Sequence, residues 1–273
     1  MAKEVTLILK QEIVGASLEA EVISPDVFAG KTVEDIKGLK LWKGNKQLTI
    51  EDYFKISGEP GDTAKETKII LEGDLSKIKH IGEGMTAGEI LIKGNAGMHT
   101  AAKMKGGKIT VEGNVDDWTG VEMKGGVLTI FGNARNYLGA AYRGASVGMQ
   151  GGTIELEGDC GTEAGEWMKK GTITIKGKVG SFAGIHMQGG LIILYNLVAE
   201  RVGAEMKKGK ILIHGKVEEL LPSFKFEGEV ASAVINEEKE IEGPFLKFIG
   251  DIAEKGKGEI YLNKEANSHL INA

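Results

Sequence analysis

The chain has 273 residues, a net charge of −5 and a single cysteine, and 41% of its residues are hydrophobic. The acidic balance argues against nucleic acid as the main partner, and no apolar run is long enough to suggest a transmembrane helix. One thiol cannot form an internal disulfide, a cysteine-based zinc site or an iron–sulfur cluster, so we expect a cytoplasmic protein. Glycine is the anomaly, because 41 glycines are about twice the usual share.

Residues 1–66 differ from the rest of the sequence. They contain short apolar runs such as VTLILK and a segment that predicts a small helix around residues 32–36. A stack of repeated units needs terminal segments that cover its exposed ends. Residues 1–66 are therefore predicted to form a β-rich N-terminal cap.

A repeat dominates residues 67–216. Seven of the nine methionines recur in steps of 19, with one step of 26, at Met85, Met104, Met123, Met149, Met168, Met187 and Met206. Glycine follows each methionine at the third residue, Ile or Leu at the fifth, and an aliphatic residue at the seventh. The ninth residue is glycine in every copy except one, where Asn196 stands; asparagine tolerates the left-handed region, so we expect that coil to survive with Asn196 in it.

The pattern predicts an all-β fold. Each copy holds a short strand of alternating apolar and polar residues between glycines, and no helical segment is available for a βαβ crossover. A 19-residue unit cannot bury its apolar edge alone, whereas stacked units can. We therefore predict a right-handed parallel β-helix of about eight coils. Packing explains the methionine ladder better than soft-metal binding, because Met fills irregular gaps and no histidine accompanies it.

The 26-residue step is the one break in the rhythm. The segment GAAY (139–142) stands where the next methionine was due, and seven further residues precede Met149. The insertion is either a passive loop or a loop that contacts a partner. Residues 217–273 lose the repeat, and they are predicted to form an irregular C-terminal cap and tail.

Catalytic patterns do not recur along the coils. The MKGG loops lack the following helix that phosphate-binding motifs require, and the acidic residues do not repeat in a column as paired catalytic carboxylates would. His99, His186 and His214 stand at different distances from their methionines, while His80 and His269 lie outside the grid. We therefore expect no stacked histidine pair and no catalytic, cofactor-binding or metal site in this chain.

Two positions of the repeat suggest exposed surfaces, and we call the residues that share one position in successive copies a column. The column 14 residues after the methionine is rich in aromatic side chains and Arg, which are enriched where proteins meet. With the inserted loop, this column gives the candidate partner interface Trp118, Tyr137, Arg143, Phe182 and Arg201. The alternative is an aromatic ladder that lies on its own coil. The residue after each methionine is often Lys, which indicates a solvated turn.

The two ends and the coils together resemble a known family. The segments LKLWKGNKQLTIEDYFKISGE and GDIAEKGKGEIY, with the seven coils between them, are similar to the C subunit of formylmethanofuran dehydrogenase. The coils alone are similar to the glycine-repeat domain at the C-terminus of the glutamate synthase large subunit.

The resemblance implies a non-catalytic scaffold subunit in an oxidoreductase complex of archaeal methanogenesis, which reduces CO2 to formate and condenses it with methanofuran. It also implies that a tungsten- or molybdenum-pterin, iron–sulfur clusters and dinuclear zinc lie in other subunits, and that the partners are an amidohydrolase-like A subunit and the pterin-binding B and D subunits. Two alternatives stay open: the same scaffold in a formyltransferase/hydrolase complex, and a stand-alone β-helix enzyme acting on carbohydrate.

Overall fold

The structure, a computed structural model, describes residues 3–235 and 239–271. Its strands are β1 (Lys3–Leu9), β2 (Leu18–Glu19), β3 (Lys40–Lys43), β4 (Lys46–Thr49), β5 (Phe54–Gly58), β6 (Thr67–Glu72), β7 (Ile78–Lys79), β8 (Glu89–Lys93), β9 (Lys108–Val111), β10 (Val127–Ile130), β11 (Gln150–Leu156), β12 (Lys170–Ile175), β13 (Gln188–Leu194), β14 (Lys208–Ile213), β15 (Lys225–Val234), β16 (Glu240–Gly250) and β17 (Gly258–Asn263). The helices are short: α1 (Pro25–Phe28), α2 (Val33–Lys37), α3 (Ile50–Tyr53) and α4 (Lys264–Asn267), with 3₁₀ turns at Ala64–Glu66, Ile252–Glu254 and Ser268–Leu270.

Most strands belong to one open sheet of thirteen, in the order β15-β16-β17-β14-β13-β12-β11-β10-β9-β8-β6-β1-β5. The predicted all-β class is confirmed, and the sheet is mainly parallel. Its strands pair with the register that the repeat predicts, so that Ile109 lies opposite Leu128 and Leu128 lies opposite Ile154. The 26-residue step leaves this register unchanged because the extra residues lie outside the strands.

The methionine ladder lies in the core. All seven repeated methionines have no exposed surface, and they belong to one continuous hydrophobic cluster with the repeated Ile and Leu residues. The sequence prediction that these side chains point inward is confirmed. A flexible, unbranched side chain can fill the space between coils without forcing the backbone apart.

Methionine and glycine repeat together for a steric reason. The glycine three residues after each methionine has a positive φ, +83° at Gly126 for example. A Cβ at Gly126 would lie 2.6 Å from the Met104 Cε of the preceding coil. The same contact recurs at Gly190, where the neighbour is the Met168 Cε at 2.7 Å. Each methionine therefore occupies the space that the next coil's glycine leaves free.

A second ladder runs along the stack beside the large sheet. Single parallel bridges join one residue of each coil to the next, through Leu75, Ala96, Val115, Ala134, Cys160, Val179, Val198 and Val217. Cys160 is buried in this ladder, and burial raises the pKa of its thiol to about 12. A thiol held neutral in this way is a small packing residue.

Both ends extend the sheet, in agreement with a β-rich N-terminal region and in contrast to the irregular C-terminal region that the sequence predicted. At the N-terminal end, β1 pairs in parallel with β6, and β5 then pairs antiparallel with β1. At the C-terminal end, β17 pairs in parallel with β14, and β16 and β15 follow antiparallel. The sequence prediction failed at the C-terminal end because β15, β16 and β17 do not follow the 19-residue spacing, although their backbones continue the hydrogen bonds of the sheet.

The N-terminal region also forms a small sheet of its own, in the order β4-β3-β2-β7. The predicted short helix is present as α2, and Thr32 and Asp35 form a capping box at its start. Such a box satisfies two backbone N–H groups that would otherwise lack partners. Because β7 belongs to the first coil, the pair β2–β7 joins the N-terminal region to the stack.

Asn196 does not use the left-handed conformation that its position suggested. Its φ is negative, and its side-chain Oδ1 accepts a hydrogen bond from the Leu197 N–H at 2.8 Å. Close approach of neighbouring coils explains the glycine at this position better than backbone conformation does. A Cβ at Gly132, for example, would lie 2.5 Å from the Gly113 carbonyl. The coil therefore persists with Asn196 in it, as expected, but without the left-handed conformation.

Truncation of the methionine ladder should destabilise the fold. Met168→Ala removes a fully buried side chain from the stack, and we expect a loss of about 2–5 kcal/mol in the free energy of unfolding from lost transfer energy and the cavity left behind. Met168→Leu is the matched control, with an expected loss below about 1.5 kcal/mol. Denaturant unfolding measures both, and equal stability of the alanine variant and the wild type would contradict a packed ladder.

Candidate partner interface

The candidate interface begins with an unusual backbone. Every residue of the position-14 column has a positive φ, between 58° and 66°: His80, His99, Trp118, Tyr137, Glu163, Phe182 and Arg201. Non-glycine residues adopt this conformation at a cost of about 1–2 kcal/mol. The column therefore marks one corner at which each coil turns in the same way.

The rings in this column stack on one another. The centroids of His80 and His99 are 4.5 Å apart, those of His99 and Trp118 are 5.6 Å apart, and those of Trp118 and Tyr137 are 4.7 Å apart. The ring planes deviate from parallel by 12–16°. Four successive coils therefore place one continuous stack along this corner, and each side chain in it is partly exposed.

The expectation that no two histidines share a position was wrong. His80 precedes His99 by one full step of the repeat and stacks directly on it. The partial coil that contains His80 has Glu66 where a methionine would stand, so a grid counted from the methionines missed it. The sequence still indicated the position of His80, because it precedes His99 by 19 residues.

The two stacked histidines have opposite pKa shifts. Burial lowers the pKa of His80, but the hydrogen bond with Glu83 and the charges of Glu83, Glu21 and Glu19 outweigh it, so the pKa is raised. Burial, together with the nearby positive charge of His80, lowers the pKa of His99 to about 4. At neutral pH, His99 is consequently an uncharged ring in the stack.

The inserted loop contacts this stack. Tyr142 stands where the sequence rhythm placed a methionine, and its hydroxyl lies 3.2 Å from His99 Nδ1. Arg143 donates a hydrogen bond to the Tyr137 hydroxyl, and its guanidinium lies 5.3 Å from the centre of the Tyr137 ring. The loop and the stack therefore form one surface.

The structure brings the predicted interface residues together in two groups. Trp118, Tyr137 and Arg143 form the first group. Phe182 and Arg201 form the second, in which the Arg201 guanidinium lies 5.6 Å from the centre of the Phe182 ring. Glu163 occupies the coil between them in the same column. We call these five residues and the rings of His80 and His99 the aromatic corner.

A polar ladder that the sequence analysis missed runs along another corner. The side-chain Oδ1 of Asn95 accepts a hydrogen bond from the Asn114 N–H, Asn114 does the same for Asn133, and Asn133 for Asp159, at 2.8–2.9 Å. Asp159 continues the ladder to the Lys178 N–H at 2.7 Å. The signal was the Gly-Asn or Gly-Asp pair that follows several of the strands.

The lysine column is mostly solvated, as predicted. Lys105, Lys124 and Lys207 are exposed, whereas Lys169 is half-buried. Lys207 also forms an ion pair with Glu254 of the C-terminal region at 2.8 Å. No helix in the described parts of the chain is long and apolar enough to cross a membrane.

Comparisons with known proteins test the family resemblance. The C subunit of tungsten-containing formylmethanofuran dehydrogenase 2 from Methanothermobacter marburgensis is 51% identical over 85 residues, which are 31% of this chain and 32% of that protein. The C subunit of molybdenum-containing formylmethanofuran dehydrogenase 1 from Methanosarcina barkeri is 49% identical over 96 residues, 35% of this chain and 32% of that protein. The resemblance to these C subunits is confirmed. The chain spans about a third of the length of the curated relatives it matches, and no protein-family model matches it.

A solved structure covers more of the molecule. A chain of the formyltransferase/hydrolase complex FhcABCD from Methylorubrum extorquens, crystallised in complex with methylofuran, superposes with a TM-score of 0.83 over 94% of this chain and 99% of that chain. The two sequences are 24% identical. This likeness establishes a shared fold over nearly the whole chain.

The shifted pKa of His99 predicts a loss of stability in acid. Below pH 6.5 the unfolded chain binds a proton at His99 that the folded chain binds only near pH 4, so stability falls as the pH decreases between these values. A His99→Gln variant should lose less stability than the wild type over this range, with exposed His269→Gln as control. Ring proton shifts measured by NMR should show His99 titrating near pH 4, and a midpoint near 6.5 would contradict the assignment.

Proposed function

We propose that this chain is the C subunit of a formylmethanofuran dehydrogenase complex and that it acts as a non-catalytic scaffold. The observation that carries the proposal is the identity of about 50% to several proteins of that name. In such a complex the reduction of CO2 to formate and its condensation with methanofuran belong to other subunits. The tungsten- or molybdenum-pterin, the iron–sulfur clusters and the dinuclear zinc would likewise be held there.

The strand ladder and the bridge ladder support a scaffold role. We infer that residues 67–216 form the right-handed parallel β-helix that the repeat predicts, flanked by a cap of residues 1–66 and a cap of residues 217–273. One strand ladder and one bridge ladder per coil support this form. Ten consecutive parallel strands, from β1 to β17, give a column of roughly 43 Å at a strand spacing of about 4.8 Å. A column of this kind can hold partners at a fixed separation.

The fold likeness favours a second candidate function. The FhcABCD complex is named a formyltransferase/hydrolase, so the chain could serve the same role in an assembly that does not reduce CO2. The two candidates differ in their partners: a pterin-binding dehydrogenase subunit belongs to the first, and a formyltransferase to the second.

Affinity purification from the native host should distinguish these candidates. A tagged full-length chain should co-purify with an amidohydrolase-like A subunit and with the pterin-binding B and D subunits in constant ratio, identified by mass spectrometry. Tungsten or molybdenum should co-elute with the assembly. A formyltransferase in place of the pterin-binding subunits would establish the second candidate, and elution of the chain alone would overturn both.

The aromatic corner is the proposed contact with a catalytic subunit. Partly exposed aromatic rings held by stacking lose little conformational entropy on binding, and such residues with Arg dominate protein interfaces. The stack and Arg143 are already ordered by their mutual contacts. A partner can therefore bind this corner without ordering it first.

A double substitution tests this contact. Trp118→Ala with Arg143→Ala should weaken partner binding by roughly 2 kcal/mol or more, as expected for two interface anchors. Arg135→Ala, an exposed arginine that pairs with Asp116 beside the polar ladder, is the matched control. Pull-down of the partner at graded concentrations measures the effect, after circular dichroism has shown that each variant is folded. Wild-type affinity of the double variant would place the contact elsewhere.

A further inference from the structure

A cluster of titratable side chains lies where the N-terminal region meets the first coil. His80 follows β7, and Glu19 and Glu21 come from β2 and the residues after it. The strands β2 and β7 pair in parallel, with Glu19 opposite Lys79. This pairing brings one histidine nitrogen and two carboxylates together, with all three candidate ligand atoms within 4.8 Å of one another.

The two ring nitrogens of His80 face different carboxylates. Nδ1 lies 2.5 Å from Glu83 Oε2, and Nε2 lies 3.2 Å from Glu19 Oε2. A carboxylate only accepts hydrogen bonds, so Nδ1 carries the proton toward Glu83. In the neutral ring, Nε2 then presents a lone pair to another acceptor. That juxtaposition is favourable only when a cation lies between them, either a second proton on the ring or a metal ion.

The distances suit a small divalent metal ion. Zinc bonds to histidine nitrogen and carboxylate oxygen at about 2.0–2.2 Å in tetrahedral geometry, which places neighbouring ligand atoms roughly 3.3 Å apart. The distance of 3.2 Å between His80 Nε2 and Glu19 Oε2 matches that edge. Glu21 is exposed, so its side chain is free to move the short distance that completes a three-ligand site, with water as the fourth ligand.

The surrounding charges leave the ligand atoms free. Lys79 pairs with Glu19 through the other carboxylate oxygen, Oε1, at 3.2 Å, and Lys103 pairs with Glu83 through its Oε1 at 3.4 Å. His80 is the ion-pair partner of the Oε2 atom of both Glu19 and Glu83. A carboxylate that holds the distal nitrogen of a ligating histidine fixes its tautomer and raises its basicity, as in many zinc sites. Glu83 occupies that place here.

We propose that Glu19, Glu21 and His80 form a divalent metal site of the zinc type, oriented by Glu83, that fastens the N-terminal region to the first coil. This replaces the expectation that the chain holds no metal site, one ground of which was the placement of His80 outside the repeat. Its ligands come from two segments that are far apart in the chain, so a bound ion joins these segments at one point. It is independent of the proposed scaffold role.

Zinc titration of the isolated chain tests the site. Zinc chloride is titrated calorimetrically into tag-free, chelator-treated full-length protein at pH 7.5, and thermal unfolding is followed with and without zinc. We expect one zinc ion per chain and a higher unfolding midpoint when zinc is bound. Glu21→Gln and His80→Gln should each weaken binding at least tenfold and abolish the thermal shift, and Glu83→Gln should weaken binding by 10–100-fold.

His186 supplies the matched control. It also lies near two glutamates, with Nε2 3.2 Å from Glu205 and Nδ1 3.8 Å from Glu166, but within residues 3–235 and 239–271 only the His80 group has three converging ligand atoms. A His186→Gln variant should bind zinc like the wild type. Absence of saturable binding, or equal affinity in wild type, Glu21→Gln and His80→Gln, would overturn the metal site and leave a proton as the cation between His80 and Glu19.

Discussion

Stacking of each coil on the next in a constant register is the constraint on which the structure depends. With strands about 4.8 Å apart, a side chain in the repeat lies beside the residue that holds the same position in the neighbouring coil. Each position must therefore be occupied by a residue type that tolerates its own copy. Methionine beside the small glycine of the next coil meets this requirement in the core, and flat aromatic or imidazole rings meet it at the corner.

Polar residues meet the same requirement in two ways. Asparagine carries an acceptor that reaches the next backbone N–H, so the ladder from Asn95 to Asp159 stabilises the turn between coils with one hydrogen bond per step. Lysine has no acceptor and repels its copy, so the lysine column is tolerated because most of its members are solvated. The residue type that recurs in a column thus indicates whether the column lies in the core, at a turn between coils or in solvent.

The 19-residue period made the structure of the coils predictable. The two ends lack this period, so their structure was difficult to predict. Strand positions, the parallel register and the burial of the methionines follow from the 19-residue step. The strands β1, β15, β16 and β17 do not fall on the 19-residue step, so their continuation of the sheet could not be read from spacing. His80 was missed because Glu66 stands where its coil should carry a methionine. The aromatic corner was found because its residues recur at one position of the repeat. The proposed role of Glu19 and Glu21 depends on the pairing of β2 with β7, which the repeat does not predict.

The two ends also solve the problem that a parallel stack creates. An open parallel edge can accept another coil, or another chain, without limit. At each end the direction of the chain reverses, with β5 antiparallel to β1 and β16 antiparallel to β17. At the C-terminal end, Ala233 of β15 and Phe245 of β16 also belong to a second apolar cluster with Ile193 and Leu212 of the last two coils. The outermost strands, β5 and β15, therefore run antiparallel to their neighbours and do not continue the parallel register of the coils. The length of the stack is therefore set by where the repeat stops.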